Sequence, residues 1–114
     1  MSYPYWQFFI ALESDLEATT RYVECCEENY NTYSVAYAQI ILSAGSEVDV
    51  VSKLLCNKVQ PTSKAKNIDD YRTILHSEYK SLHDFKVLIP RYNLSLTPWD
   101  SWVSDNNPDW WKLY

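Results

Sequence analysis

The sequence predicts a mainly α-helical fold. It comprises an antiparallel bundle of two long helices plus a shorter helix, with a small β-hairpin and a Trp-rich C-terminal segment. Three observations carry this expectation. Apolar residues recur at three- and four-residue spacing over residues 4–26 and again over 33–57, which draws one apolar stripe along each helix. Asn67 followed by Ile68-Asp69-Asp70 reads as the start of a third helix. Beyond residue 84 the period changes to short apolar runs interrupted by prolines.

The first helix is expected over residues 4–26, with Pro4 in its first turn, where a missing N–H costs nothing. Trp6, Phe9, Leu12 or Leu16, Thr19 and Val23 form its stripe. Glu27 to Thr32 is polar and short, so it joins antiparallel neighbours. The second helix is expected over 33–57 with Asn31 or Thr32 as N-cap. Its inner stripe is Val35, Ala38, Leu42 or Ile41, Gly45, Val48, Ser52 and Leu55. Gly45 is the single glycine of the chain. A glycine inside a helix costs ~1 kcal/mol relative to alanine, so its use here points to a close approach at that position.

Gln60 to Lys66 reads as a loop around Pro61. Asn67 then caps a helix to about Leu82, with Asp69 and Asp70 suiting the dipole of the first turn and Tyr71, Ile74 or Leu75, and Leu82 on the apolar side. Phe85 to Ile89 and Tyr92 to Leu96 are expected to pair as a hairpin, with Pro90 and Pro98 limiting it to edge-like pairing. Trp99 and Trp102 should pin an aromatic loop to the helices. Asn107, Pro108 and Asp109 have the order of a helix start ahead of Trp110, Trp111 and Leu113. The sequence then ends at Tyr114, about two turns in, so either this short helix docks by its tryptophans or the sequence is an abbreviated form of something longer.

At 114 residues the chain is one domain's length. Sixteen per cent of the residues are aromatic, enough burial potential to exclude a disordered class. No apolar run approaches the ~18 residues that span a bilayer. The start Met-Ser-Tyr-Pro-Tyr-Trp lacks the basic and apolar blocks of a signal peptide, so a cytoplasmic location is expected, with no membrane partner. The net charge of −5 disfavours RNA or DNA as the main partner, since phosphate contacts need a basic surface. Lys58, Lys64 and Lys66 are read as a solvated loop. Cys25, Cys26 and Cys56 form neither a disulfide framework nor a zinc pattern and are read as buried, inert thiols.

Several segments together resemble one family. They are Ser46-Glu47-Val48-Asp49-Val50 late in a long helix, Asn67-Ile68-Asp69-Asp70-Tyr71-Arg72, and Ile89-Pro90-Arg91-Tyr92-Asn93-Leu94 with Leu96, Pro98, Trp99 and Trp102. Pro108-Asp109-Trp110-Trp111 with Tyr114 completes the set. In order and spacing they look like HEPN-type bacterial helical proteins, the toxin and phage-defence kind. The resemblance implies a helical bundle that dimerises, and a metal-independent ribonuclease in many members. That activity uses an Arg and a His four to six residues apart, expected just after the Trp-Trp-x-x-Tyr segment. With the sequence ending at Tyr114, the resemblance leads to the expectation that this chain lacks that active site and at least one helix of the family's bundle.

Other chemistry is sparse. Arg72 and His76 are separated by three residues, one short of the family spacing, and are read as surface-facing residues one turn apart. His76 and His83 fall on a similar helix face, a weak metal pattern with only Glu78 and Asp84 nearby. One glycine cannot build a phosphate loop. Glu47 and Asp49, two residues apart, point to different faces, and one is expected to pair with Arg91 or Lys53. Candidate binding residues are therefore Glu47, Asp49, Arg91, Trp99 and Trp102, with no catalytic residue, metal or cofactor expected. The expected role is a non-catalytic HEPN-like protein that acts by protein association, as a homodimer or with a HEPN-like partner. Phe8, Tyr22, Tyr37 and Val51 are its candidate outer surface. Two other readings are a split half of a HEPN ribonuclease, and a small-molecule module walled by Trp99, Trp102, Trp110 and Trp111.

Overall fold

The computed structural model describes residues 4–112. The first three residues, Leu113 and Tyr114 lie outside the described residues, and with them the expectations placed there. The element order is α1 (Pro4–Thr19), α2 (Val35–Val59), α3 (Ile68–Glu78), β1 (Val87–Ile89), β2 (Leu94–Leu96) and α4 (Asp109–Lys112). Short 3₁₀ turns lie at Glu27–Asn29, Leu82–Asp84, Pro90–Tyr92 and Asp100–Ser104. The chain is mainly α with one small antiparallel hairpin, as its sequence predicts. It divides within α2 into two compact units, one ending at Glu47 and one beginning at Val48.

In the N-terminal unit, α1 stops at Thr19 rather than continuing to Cys26. Two adjacent threonines explain the stop. The Thr19 hydroxyl donates to the Leu16 carbonyl and the Thr20 hydroxyl to the Glu17 carbonyl, each at 2.6 Å. Side chains that bond back to the helix compete with its ladder, and the backbone tightens into i→i+3 turns at Thr20, Arg21 and Tyr22. The expected cap of α2 is also displaced. The Ser34 hydroxyl, rather than Asn31 or Thr32, accepts the Tyr37 N–H at 3.1 Å, and the helix starts at Val35.

The apolar stripe of α1 forms but is not covered. No residue of α1 is buried, and Trp6 and Phe9 stack on each other at 5.3 Å between ring centroids. The front of the α2 stripe behaves alike, with Val35, Ile41 and Leu42 exposed. Gly45 is buried. Replacing it with leucine adds helix propensity worth ~1 kcal/mol but inserts four carbons where none fit, at ~1–3 kcal/mol. The denaturant midpoint of Gly45→Leu is expected to fall; a rise would mean the position is open.

In the C-terminal unit the core is Cys56, Ile68, Tyr71, Leu75 and Trp102, ringed by Leu55, Ala65, Ile74, Leu82, Trp99 and Trp111. The α3 start forms as its sequence implies. Asn67 Oδ1 accepts the Asp70 N–H at 3.0 Å, while the Asp70 carboxylate reaches back to the Lys66 N–H at 2.9 Å. The helix ends at Glu78, not Leu82, because Tyr79 leaves helical geometry at φ −113°, ψ 78°. The hairpin pairs Val87 with Leu96, Leu88 with Ser95 and Ile89 with Leu94. Asn93 closes its turn at φ 54°, a left-handed conformation that asparagine tolerates better than most residues.

Candidate functional site

The side chains with chemical potential gather on α3 and the segments that return to it. Tyr71 and Leu75 point into the core. One position further along the chain, Arg72 and His76 form a second stripe, one turn apart. The sequence places them on the surface, but the packing around α3 covers both in part. The Arg72 side chain is 15% exposed. Its Nε donates to Asp105 Oδ1 at 2.9 Å, and its Nη1 to Asp69 Oδ1 at 3.1 Å and Asn107 Oδ1 at 2.6 Å. Asn107 Nδ2 also donates to Asp69 Oδ1 at 3.1 Å. Asn107, expected as the cap of α4, thus turns its side chain to α3. Two carboxylates and an amide occupy the guanidinium, which makes it a latch between α3 and the segment before α4.

The break after Glu78 has a larger consequence. On one continuous helix His76 and His83 would be separated by about 10 Å of rise. Instead the chain turns back, and His76 Nε2 stands 2.9 Å from His83 Nδ1. The rings are perpendicular, at 87° and 5.0 Å between centroids. His83 Nε2 lies 3.2 Å from Asp84 Oδ2. One tautomer satisfies both contacts: the His83 proton on Nε2, donated to Asp84, and its Nδ1 accepting from His76 Nε2–H. The Trp102 ring lies near His76, tilted at 52° with centroids 6.3 Å apart.

The sequence-chosen residues divide. Asp49 Oδ1 accepts from the buried Tyr71 hydroxyl at 2.7 Å, and its Oδ2 pairs with Lys53 at 3.4 Å. Burial, then the hydrogen bond and charge of Asp49, push the Tyr71 phenol well above its ordinary range. Asp49 is therefore a structural partner of α3. Glu47 is half-buried on the same helix, and Arg91 is exposed in the 3₁₀ turn of the hairpin. Trp99 and Trp102 sit 4.3 Å apart, Trp99 and Trp110 5.1 Å, and Trp110 and Trp111 6.0 Å. Trp110 Nε1 donates to the Pro98 carbonyl at 2.8 Å. The four rings meet one another tilted or edge-on.

Of the three cysteines, only Cys56 is buried; Cys25 and Cys26 are half-buried, contrary to expectation. Their segment lies beyond the end of α1, outside any packed helix face. The Cys26 thiol is held above its usual range chiefly by its hydrogen bond to Glu28, and Cys56 chiefly by burial. Neither is activated as a thiolate. Of the expected outer residues, Phe8, Tyr22 and Val51 are exposed. Tyr37 is half-buried and lines an open groove of about 780 Å³ in the N-terminal unit, with Ala18, Thr19, Tyr22 and Ile40. Among the described residues no group of three or more His, Cys, Asp or Glu side chains converges as a metal cage. No described helix is long and apolar enough to cross a membrane.

Sequence reasoning missed the Arg72 latch and the His76–His83 contact. The signal it held was the i, i+4 spacing of Arg72 and His76; their partners lie up to 35 residues away. Comparisons with protein-family models, with curated proteins and with solved structures found no match to this chain.

Proposed function

We propose that this protein is a non-catalytic, HEPN-like helical protein that acts by association, and that its N-terminal unit pairs with a second copy of itself. The carrying observation is the apolar surface of α1, of which no residue is buried. Tyr5, Phe9, Leu12 and Leu16 recur at spacings of four, three and four, the seam of a helix that packs against another. Tyr5, Trp6, Phe8 and Phe9 are 45–60% exposed. At ~150–250 Å² per aromatic side chain, they leave on the order of 400 Å² uncovered. With Leu16, two copies would bury at most about 1,000 Å², the lower bound of a specific interface.

Charge selects the orientation. All acidic residues of α1, Glu13, Asp15 and Glu17, lie in its second half, and it carries no basic residue. Parallel pairing would set like charges side by side. An antiparallel pair centred near Phe9 overlaps the apolar halves and carries the carboxylates to opposite ends. Closed two-fold pairs are also the commonest oligomer. The HEPN resemblance supports the same reading, because it implies a helical bundle that dimerises. A modulator within a toxin or phage-defence system follows from that class.

Light scattering over a concentration series tests the pairing. The expected mass is twice the 13.4 kDa of the chain. Phe9→Asp should restore the single-chain mass while leaving helical circular dichroism unchanged. A single-chain mass for the natural sequence up to about 100 μM, well above the ~1 μM range of ordinary complexes, would refute it.

A further inference from the structure

We propose that His76 and His83 form a two-imidazole chelate for a divalent transition metal of the copper, nickel and zinc group. The proposal goes beyond association and stands on the C-terminal unit alone. His76 Nε2 and His83 Nδ1 face each other at 2.9 Å. Metal–imidazole bonds are ~2.0–2.1 Å long. Two nitrogens on neighbouring positions of one ion, at angles of about 90–110°, are then roughly 2.9–3.4 Å apart. The observed separation lies at the short end of that span. In a straight hydrogen bond the two nitrogens aim at each other, so both rings must turn by roughly 35–45° for their lone pairs to converge on one ion beside the N···N line.

Asp84 gives a second, independent argument. Its Oδ2 is 3.2 Å from His83 Nε2. That contact keeps the proton of His83 on Nε2 and leaves the Nδ1 lone pair directed at His76. A carboxylate behind a histidine is the arrangement by which metal sites fix the ligating nitrogen. The buried Trp102 ring also neighbours His76, with centroids 6.3 Å apart. Binding balances simply. The proton shared between the rings moves through solvent to His76 Nδ1, and the freed Nε2 lone pair joins Nδ1 of His83 on the ion. Water would complete the coordination. Neutral imidazoles select copper, nickel and zinc over magnesium and calcium.

The test titrates Zn²⁺, Ni²⁺ and Mg²⁺ separately into tag-free protein by calorimetry, with the histidine ring protons followed by NMR. One Zn²⁺ or Ni²⁺ per chain is expected, with both rings perturbed, and no heat with Mg²⁺. His76→Gln and His83→Gln should each weaken binding tenfold or more, with circular dichroism confirming their fold. Asp84 is largely exposed, so Asp84→Asn is expected to fold normally and to weaken binding by roughly 10–100-fold. Absence of Zn²⁺ binding at millimolar concentration would overturn the proposal. So would binding unchanged in both histidine variants, which would place the metal on the cysteines.

Discussion

Trp102→Ala is expected to remove about 3–5 kcal/mol of stability, the range for deleting a buried aromatic side chain. Trp102 is 2% exposed and is the largest member of a core of five buried residues. Its ring pairs with those of both Trp99 and His76, so its loss opens a cavity beside them. Small domains hold only ~5–15 kcal/mol in total, so the C-terminal unit would lose a large part of its margin. A companion variant separates packing from polarity. Trp102 Nε1 is buried with no hydrogen-bond partner among the described residues. Trp102→Phe keeps most of the ring and removes an unsatisfied donor that costs about 1–3 kcal/mol. It should therefore be much milder than Trp102→Ala. Urea denaturation followed by circular dichroism measures both; equal losses in the two variants would show that the ring does not fill the core.

Tyr71→Phe should change stability in a pH-dependent way. The Tyr71 side chain is fully buried, and its hydroxyl donates to Asp49 at 2.7 Å. Removing the hydroxyl takes one partner from a half-buried carboxylate, at about 1.5–3 kcal/mol for a hydrogen bond to a charged group. The alkaline behaviour is more specific. Burial and the Asp49 carboxylate raise the Tyr71 phenol in the folded state above its ordinary value of 10.0. The folded state therefore keeps a proton that the unfolded state releases. The stabilisation is complete below pH 10 and is lost as pH rises from there toward the folded-state value. Each pH unit in that window costs about 1.4 kcal/mol. The natural protein should thus lose that much more per unit than Tyr71→Phe above pH 10. Parallel curves for the two proteins would mean that Tyr71 ionises freely.

The readable parts of the fold were those whose signals are local. Asn67 and Asp70, three residues apart, satisfy each end of the α3 start without help from distant chain. The alternation around Pro90-Arg91 produced the hairpin, with Asn93 supplying the left-handed turn. The ends of α1 and α3 were less readable. Apolar periodicity continues through Val23 and Leu82, but Thr19 and Thr20 divert backbone carbonyls and Tyr79 leaves helical geometry. The candidate site depends on those ends. Without the break after Glu78, His83 would not reach His76.

Local signals set the type and approximate place of the helices and the hairpin, because caps, turns and periodicity act over a few residues. They also mark which faces are apolar. Which of those faces is covered depends on long-range packing. Leu75 and Trp102 are buried, while Phe9 and Leu16, equally apolar, are exposed. An apolar stripe states that a helix needs a neighbour, and the chain's path decides whether one arrives. The same holds for the polar groups. Arg72 meets Asp105 and Asn107 across more than thirty residues of chain, and His76 meets His83 through a reversal of direction. Such contacts depend on where the backbone goes after each element ends, which no short-range pattern encodes.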